Sequence, residues 1–229
     1  MTGAKALFTK RQYLVKIINS FCPRIFFRMS PFKNRSKAHW QMQDEGDRHG
    51  YDKYNTYNPK IRILMNELEH RVNREYEILD LGCNCGYYLH ELKKAGYPRL
   101  TGIDISQKAI EYGRRTFNLD DIELIVGSFE EVLPQLAARN RQFDLIYTMG
   151  ATLELVHPSF DIVRYICSLS KDNVILGISE WGHAYPRFWE YEFNSHGFAL
   201  VKCIRPIYGT KRFEDPINEE SLLVFQRIP

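Results

Sequence analysis

Residues 77–92 read EILDLGCNCGYYLHEL, and residues 100–106 read LTGIDIS. The first segment opens with a short apolar run, breaks at a turn containing Gly82 and Gly86, and resumes as a helix over 87–94 that Gly96 ends. A strand that feeds a glycine turn and then a helix places the turn at the strand's carboxyl end, where open α/β sheets bind ligands. Glycine lacks Cβ, so the backbone there can approach a ligand and take positive φ. The second segment is a strand ending in Asp104, 22 residues after Gly82. At that distance an acid reaches the ribose hydroxyls of a bound nucleoside. A carboxylate suits the task because both of its oxygens accept from adjacent hydroxyls.

Working outward, strands and helices alternate. Pro59 opens a helical pattern through Ile61, Leu64, Met65, Leu68 and Val72, ahead of the strand at 76–81. After the strand at 100–105 come a helix at 107–116, a strand at 122–126, a helix at 130–139 and a strand at 143–148. A helix at 160–170, a strand at 174–179 and a helix around 186–194 follow. This order predicts an α/β fold, a Rossmann-like, doubly wound, mainly parallel sheet covered on both faces. No helix separates the last two strands, 198–204 and 222–226, which predicts an antiparallel hairpin at one edge and seven strands in all.

With Asp80, Gly82, Asn84 and Gly86 in the first segment and Asp104 in the second, the chain resembles the class I S-adenosylmethionine-dependent methyltransferases over about residues 59–229. Their first motif has glycine where this chain has Asn84, the non-glycine residue that best tolerates left-handed backbone. The resemblance implies S-adenosyl-L-methionine as cofactor, S-adenosyl-L-homocysteine as product, and methyl transfer as the activity. It assigns the cofactor to Asp80, Gly82, Cys83, Asn84, Gly86, Asp104, Ile105, Ser128, Phe129 and Tyr147. Asp80 would orient the loop and the amino end of the cofactor, and Ile105 would lie along the adenine. Ser128 stands where many relatives have an acid; it also reads as the cap of the next helix. The dinucleotide loop GxGxxG fits poorly, since two of its three glycines are missing in register from Gly82. A plain strand-to-helix turn, with Asp104 as a helix cap, is the reading that involves no ligand.

On the acceptor side the resemblance points to the end of the fourth strand, Tyr147 to Gly150, and to the run LELVHP at 153–158. A hydroxyl acceptor needs a base near neutral pKa. His157 and Glu154 are the catalytic candidates, with Glu180, His183 and His49 also in reach of the argument. Residues 47–57 precede the first helix of the fold and in similar enzymes cover the pocket. His49, Tyr51, Tyr54 and Tyr57, with Met149, are the candidate lid and substrate residues, the tyrosines being three apart and able to share a helical face. Trp181, Tyr185, Trp189 and Tyr191 read either as an aromatic acceptor pocket or as packing. No metal site is expected: Cys83 and Cys85 lack a companion Cys/His cluster.

The rest of the chain divides by charge. Residues 1–40 hold nine Lys or Arg and no Asp or Glu, leaving 22 basic against 28 acidic residues beyond Trp40. The division predicts a basic amphipathic arm over 1–43, helical until Pro23, and a methyltransferase domain over 44–229. The arm reads as an anchor for an anionic surface, as a targeting segment, or as a helix packed on its own domain. No apolar run is long enough to span a bilayer, and five cysteines without a disulfide pattern suit a reducing compartment. The expectation is a cytoplasmic enzyme, peripheral to a membrane if the arm anchors it. It would methylate O or N on a small molecule, sugar or lipid-linked intermediate. An RNA methyltransferase using the arm on phosphates, and a non-catalytic scaffold of the same fold, are the other readings.

Overall fold

In the computed structural model the described residues are 10–21, 35–56, 59–71, 73–150, 152–179, 185–205 and 220–229. The sheet is built from β1 (Ile78–Leu81), β2 (Leu100–Asp104), β3 (Glu123–Val126), β4 (Phe143–Met149), β5 (Ser170–Ser179), β6 (Phe198–Ile204) and β7 (Glu220–Arg227). Its order is β3-β2-β1-β4-β5-β7-β6. β1 to β5 pair in parallel, whereas β7 runs antiparallel to both β5 and β6. The closing pair is therefore at the edge, as its sequence predicts, with β7 inserted between β5 and β6. The strand order reverses beside β1, so the carboxyl ends of β1 and β4 frame the crevice where such sheets hold ligands.

Helices cover both faces because successive strand residues point to opposite sides. On one face α3 (Pro59–Arg71), α4 (Tyr87–Lys94) and α5 (Gln107–Phe117) bury Ile61, Leu64, Leu89, Leu92 and Ile110 against Ile78, Leu145 and Ile175. On the other, α6 (Phe129–Ala138), α7 (Ile162–Leu169) and α8 (Trp189–Asn194) bury Leu133, Ile166 and Phe193 against Leu79, Leu81, Ile146 and Leu176. Each such Leu or Ile contributes roughly 1.5–3 kcal/mol relative to an exposed one. Asp80 and Tyr147 alternate onto the α3–α4–α5 face, a carboxyl and a phenol among aliphatic neighbours.

Two helices precede this body: α1 (Lys10–Phe21) and α2 (Arg35–Met42). The second is absent from the sequence reading, because RSKAHWQM has no pronounced apolar stripe. The inner side of α1 packs on the body. Lys16 is buried with Nζ 5.3 Å from the Phe188 ring centre, and the Ser20 hydroxyl donates to Glu192 at 2.8 Å while accepting from the Phe188 amide at 2.9 Å. Among the described residues no helix is long and apolar enough to cross a membrane.

Candidate active site

The glycine turn owes its shape to three left-handed residues, Gly82 (φ 76°), Asn84 (φ 50°) and Gly86 (φ 74°). Asn84 reaches this conformation in the way its side chain allows, its Oδ1 accepting from the Cys85 amide at 2.7 Å. Gly86 sits immediately before α4 as its cap. The loop is also held from outside. A Cβ on Gly113 of α5 would lie 2.0 Å from the Cys85 carbonyl oxygen, so this helix packs directly on the turn only because residue 113 has no side chain.

Asp104 is tied to the same turn. Its Oδ2 accepts from the Asn84 amide and its Oδ1 from the Ser106 amide, both at 2.8 Å. A carboxylate oxygen has two lone pairs, so each oxygen keeps one for a ligand hydroxyl. Burial pushes the Asp104 carboxyl above its ordinary range, and the amides of Ser106, Asn84 and Ile105 offset part of that cost. Asp80 lies beneath, almost fully buried, and accepts from the Tyr147 hydroxyl at 2.9 Å. Desolvation raises Asp80 to about 8, against the lowering effect of that hydrogen bond and with a further upward push from Asp104. Burial and the adjacent carboxylate drive the Tyr147 phenol well above its ordinary value. Two carboxyls held in low dielectric, with no cation among the described residues lowering either, suit a ligand that carries positive charge as well as hydroxyls.

The remaining cofactor-side residues surround this pair. Cys83 and Cys85 are buried on opposite sides of the turn, Cys83 with Leu89 and Leu124 and Cys85 with Tyr51 and Ala109. Ile105 is half-buried at the exit of β2. Ser128 begins α6: its amide and hydroxyl donate to Glu131 Oε2 at 3.0 and 2.7 Å, so the hydroxyl proton serves the cap while an oxygen lone pair stays available. Phe129 follows and packs on the core.

The segment before α3 is fastened to α5 beside the turn. Tyr51 is buried with its ring 5.1 Å from Tyr112, Asn55 Nδ2 donates to the Tyr112 hydroxyl at 2.6 Å, and Lys108 pairs with Asp44 at 2.5 Å. Tyr51 and Tyr54 bound one turn of 3₁₀ helix, Tyr51 buried and Tyr54 exposed. His49 is exposed beside His39 and Trp40. Tyr57 lies outside the described residues.

On the acceptor side Met149 is half-buried, with Sδ 3.1 Å from where a Gly177 Cβ would stand. Thr152 Cγ2 comes within 2.5 Å of a notional Cβ on Gly82, so the loop after β4 lies against the glycine turn. A 3₁₀ turn, Leu153–Leu155, carries Glu154, which is fully buried, accepts from the Ser179 amide at the end of β5, and is raised to about 8 by desolvation. The Lys60–Glu220 ion pair faces it. His157 is buried with Nδ1 2.8 Å from the Ser159 hydroxyl and its ring edge-on to Tyr185 at 5.2 Å. Trp189 belongs to the core, the packing reading of that residue, and Tyr191 is half exposed. Glu180, Trp181 and His183 lie outside the described residues. Sequence reading missed buried Arg187, which spans from Glu192 (3.1 Å) to the Val156 carbonyl (3.4 Å) and so ties α8 to the turn holding His157. A lone arginine among aromatics gives no signal of that role, because the contact crosses 31 residues.

This sheet, with the acid that ends β2 gripping a left-handed turn after β1, is Rossmann-like in strand order and in the placing of its turn. A family model described as a methyltransferase domain matches residues 78–172. A malonyl-[acyl-carrier protein] O-methyltransferase of Acetivibrio thermocellus is 30% identical over 146 residues, 62% of this chain and 49% of that protein. Magnesium protoporphyrin IX methyltransferase from Synechocystis PCC 6803, solved with S-adenosylmethionine bound, superposes with a TM-score of 0.60 at 13% identity, covering 98% of this chain and 100% of that one. The [4+2]-cyclase SpnF shares the fold as well, with a TM-score of 0.54 at 12% identity over 72% of this chain and 80% of that one. Residues 78–172 thus match a methyltransferase domain, and the sheet as a whole shares its fold with S-adenosylmethionine-dependent methyltransferases. It spans about half the length of the curated relatives it matches.

Proposed function

We propose that the protein transfers the methyl group of S-adenosylmethionine to an oxygen acceptor that arrives already ionised, a carboxylate on a small or carrier-linked molecule. The observation that carries the cofactor half is Asp104, whose two oxygens each spend one lone pair on the turn and keep one for a ribose hydroxyl. Gly82 and Asn84 give the turn its left-handed shape, and Asp80 below it, raised to about 8 by burial, can ionise beside a cationic ligand. When bound, S-adenosylmethionine supplies a methyl group activated by its positively charged sulfur, so in-line placement and exclusion of water carry most of the rate.

The acceptor half rests on what the described candidate bases do. Glu154 gives one oxygen to the Ser179 amide and, raised to about 8 by burial, largely keeps its proton at neutral pH, while buried His157 has Nδ1 against the Ser159 hydroxyl. An alcohol or ammonium acceptor needs a group to take its proton, whereas a carboxylate at neutral pH has none to give. The name of the Acetivibrio relative, an O-methyltransferase acting on a malonyl group, supports the same class.

Titration calorimetry with S-adenosylmethionine tests the first half. Asp104→Ala should weaken binding by about 1.5–3 kcal/mol, roughly tenfold to a hundredfold, because two hydroxyls lose a charged acceptor. No binding by the folded wild-type chain would leave a scaffold of this fold. Methyl transfer to a malonyl thioester, compared with alcohol and amine acceptors, tests the second half. Turnover of amines or alcohols with no turnover of carboxylates would overturn it.

A further inference from the structure

The helix α1 has two faces of different character. Lys16 and Ser20 hold it to the body through Phe188 and Glu192. On another flank Tyr13, Leu14 and Ile17 are 47%, 55% and 45% exposed. Scattered apolar residues on a surface are ordinary, but three within five positions of one helix form a continuous apolar strip. The strip sits in a 40-residue stretch with nine cations and no anion.

We propose that this flank of α1 lies on an anionic lipid bilayer. An apolar strip flanked by cations is what an interfacial helix presents to headgroups and acyl chains. The charge division orients the molecule: the basic arm is drawn to a negative surface, while the chain beyond Trp40, with 28 acids against 22 bases, is turned away from it. Nucleic acid fits the strip less well, since Leu14 and Ile17 offer phosphates nothing and do not stack on bases as aromatic rings do. The proposal is independent of the acceptor, and its readout does not require methyl transfer.

Flotation of the full chain tests it, using phosphatidylcholine vesicles with and without about 30% phosphatidylglycerol. The wild type should float with the anionic vesicles at least about tenfold more than with neutral ones, and binding should fall in about 0.5 M salt. The double variant Leu14→Glu/Ile17→Glu, both positions being exposed, should keep its circular dichroism and adenosylmethionine affinity but lose flotation. Equal flotation of variant and wild type, or none by either, would overturn the proposal. So would a dimer in light scattering that the double variant abolishes while vesicles bind neither protein, because the flank would then belong to a second copy.

Discussion

The Tyr147 hydroxyl donates to Asp80 at 2.9 Å across paired strands β4 and β1, so among the described residues the hydrogen bond to this buried carboxyl comes from a neutral phenol. Asp80 is raised to about 8 and is largely protonated at neutral pH. A cationic ligand above it favours the ionised form. Adenosylmethionine binding near pH 7 should therefore release up to about one proton, detected by calorimetry in buffers of different ionisation enthalpy. Tyr147→Phe removes an interaction that lowers the Asp80 pKa, so affinity should fall about tenfold at pH 7 and recover toward pH 9. A loss that is the same at both pH values would detach the phenol from this role.

Stability should depend on pH in the direction set by two raised carboxyls. Asp80 and Glu154 both stand at about 8 in the folded chain, against ordinary values of 3.8 and 4.5. Between pH 5 and 8 the unfolded chain has already ionised these groups while the native state keeps their protons, so stability falls as pH rises through that window. Melting curves of the ligand-free chain should show a lower Tm at pH 8 than at pH 6. Glu154→Gln keeps an oxygen for the Ser179 amide and removes the ionisation, so its slope with pH should be shallower.

Asn84 can be tested by what each replacement keeps. Asn84→Gly preserves positive φ and loses the bond to the Cys85 amide, at a cost of about 1 kcal/mol. Asn84→Val forces a β-branched residue to φ 50° and should cost about 1–3 kcal/mol. Chemical denaturation should rank the wild type first, Gly next and Val last. A Val variant as stable as wild type would mean that the turn does not need the left-handed conformation.

Gly113→Ala sets two effects against each other. Alanine is better than glycine inside a helix by about 1 kcal/mol. Here its methyl would meet the Cys85 carbonyl oxygen at 2.0 Å, and overpacking of this kind costs about 1–3 kcal/mol. The clash should win, lowering Tm and, because the turn itself must move, weakening adenosylmethionine binding. A stabilised variant with unchanged affinity would show that α5 and the turn are not in close contact.

Local patterns made much of this legible. The helix over 87–94 and the strand over 198–204 follow directly from apolar periodicity and glycine stops. The pairing of Asp104 with the turn was foreseeable from spacing alone, because β1 and β2 are neighbours and the acid ends the second strand. What stayed hidden depends on contacts distant in sequence. Glu154 reads as a candidate base until β5 is seen to offer it the Ser179 amide. The three-residue spacing of Tyr51 and Tyr54 says nothing of Tyr112, which claims only the first. Thr152 against Gly82, and Arg187 between Glu192 and Val156, have no sequence signature, since each depends on how separate loops meet.

The hydroxyl of Ser20 in α1 touches Glu192, Glu192 holds Arg187, and Arg187 holds the carbonyl beside His157. Trimming the chain to begin at residue 44 would thus do more than delete a tail. It would strip a donor from the buried Glu192 carboxyl and slacken the clasp on the loop that carries His157. Altered turnover by such a shortened enzyme would report a loosened mouth as readily as a lost address.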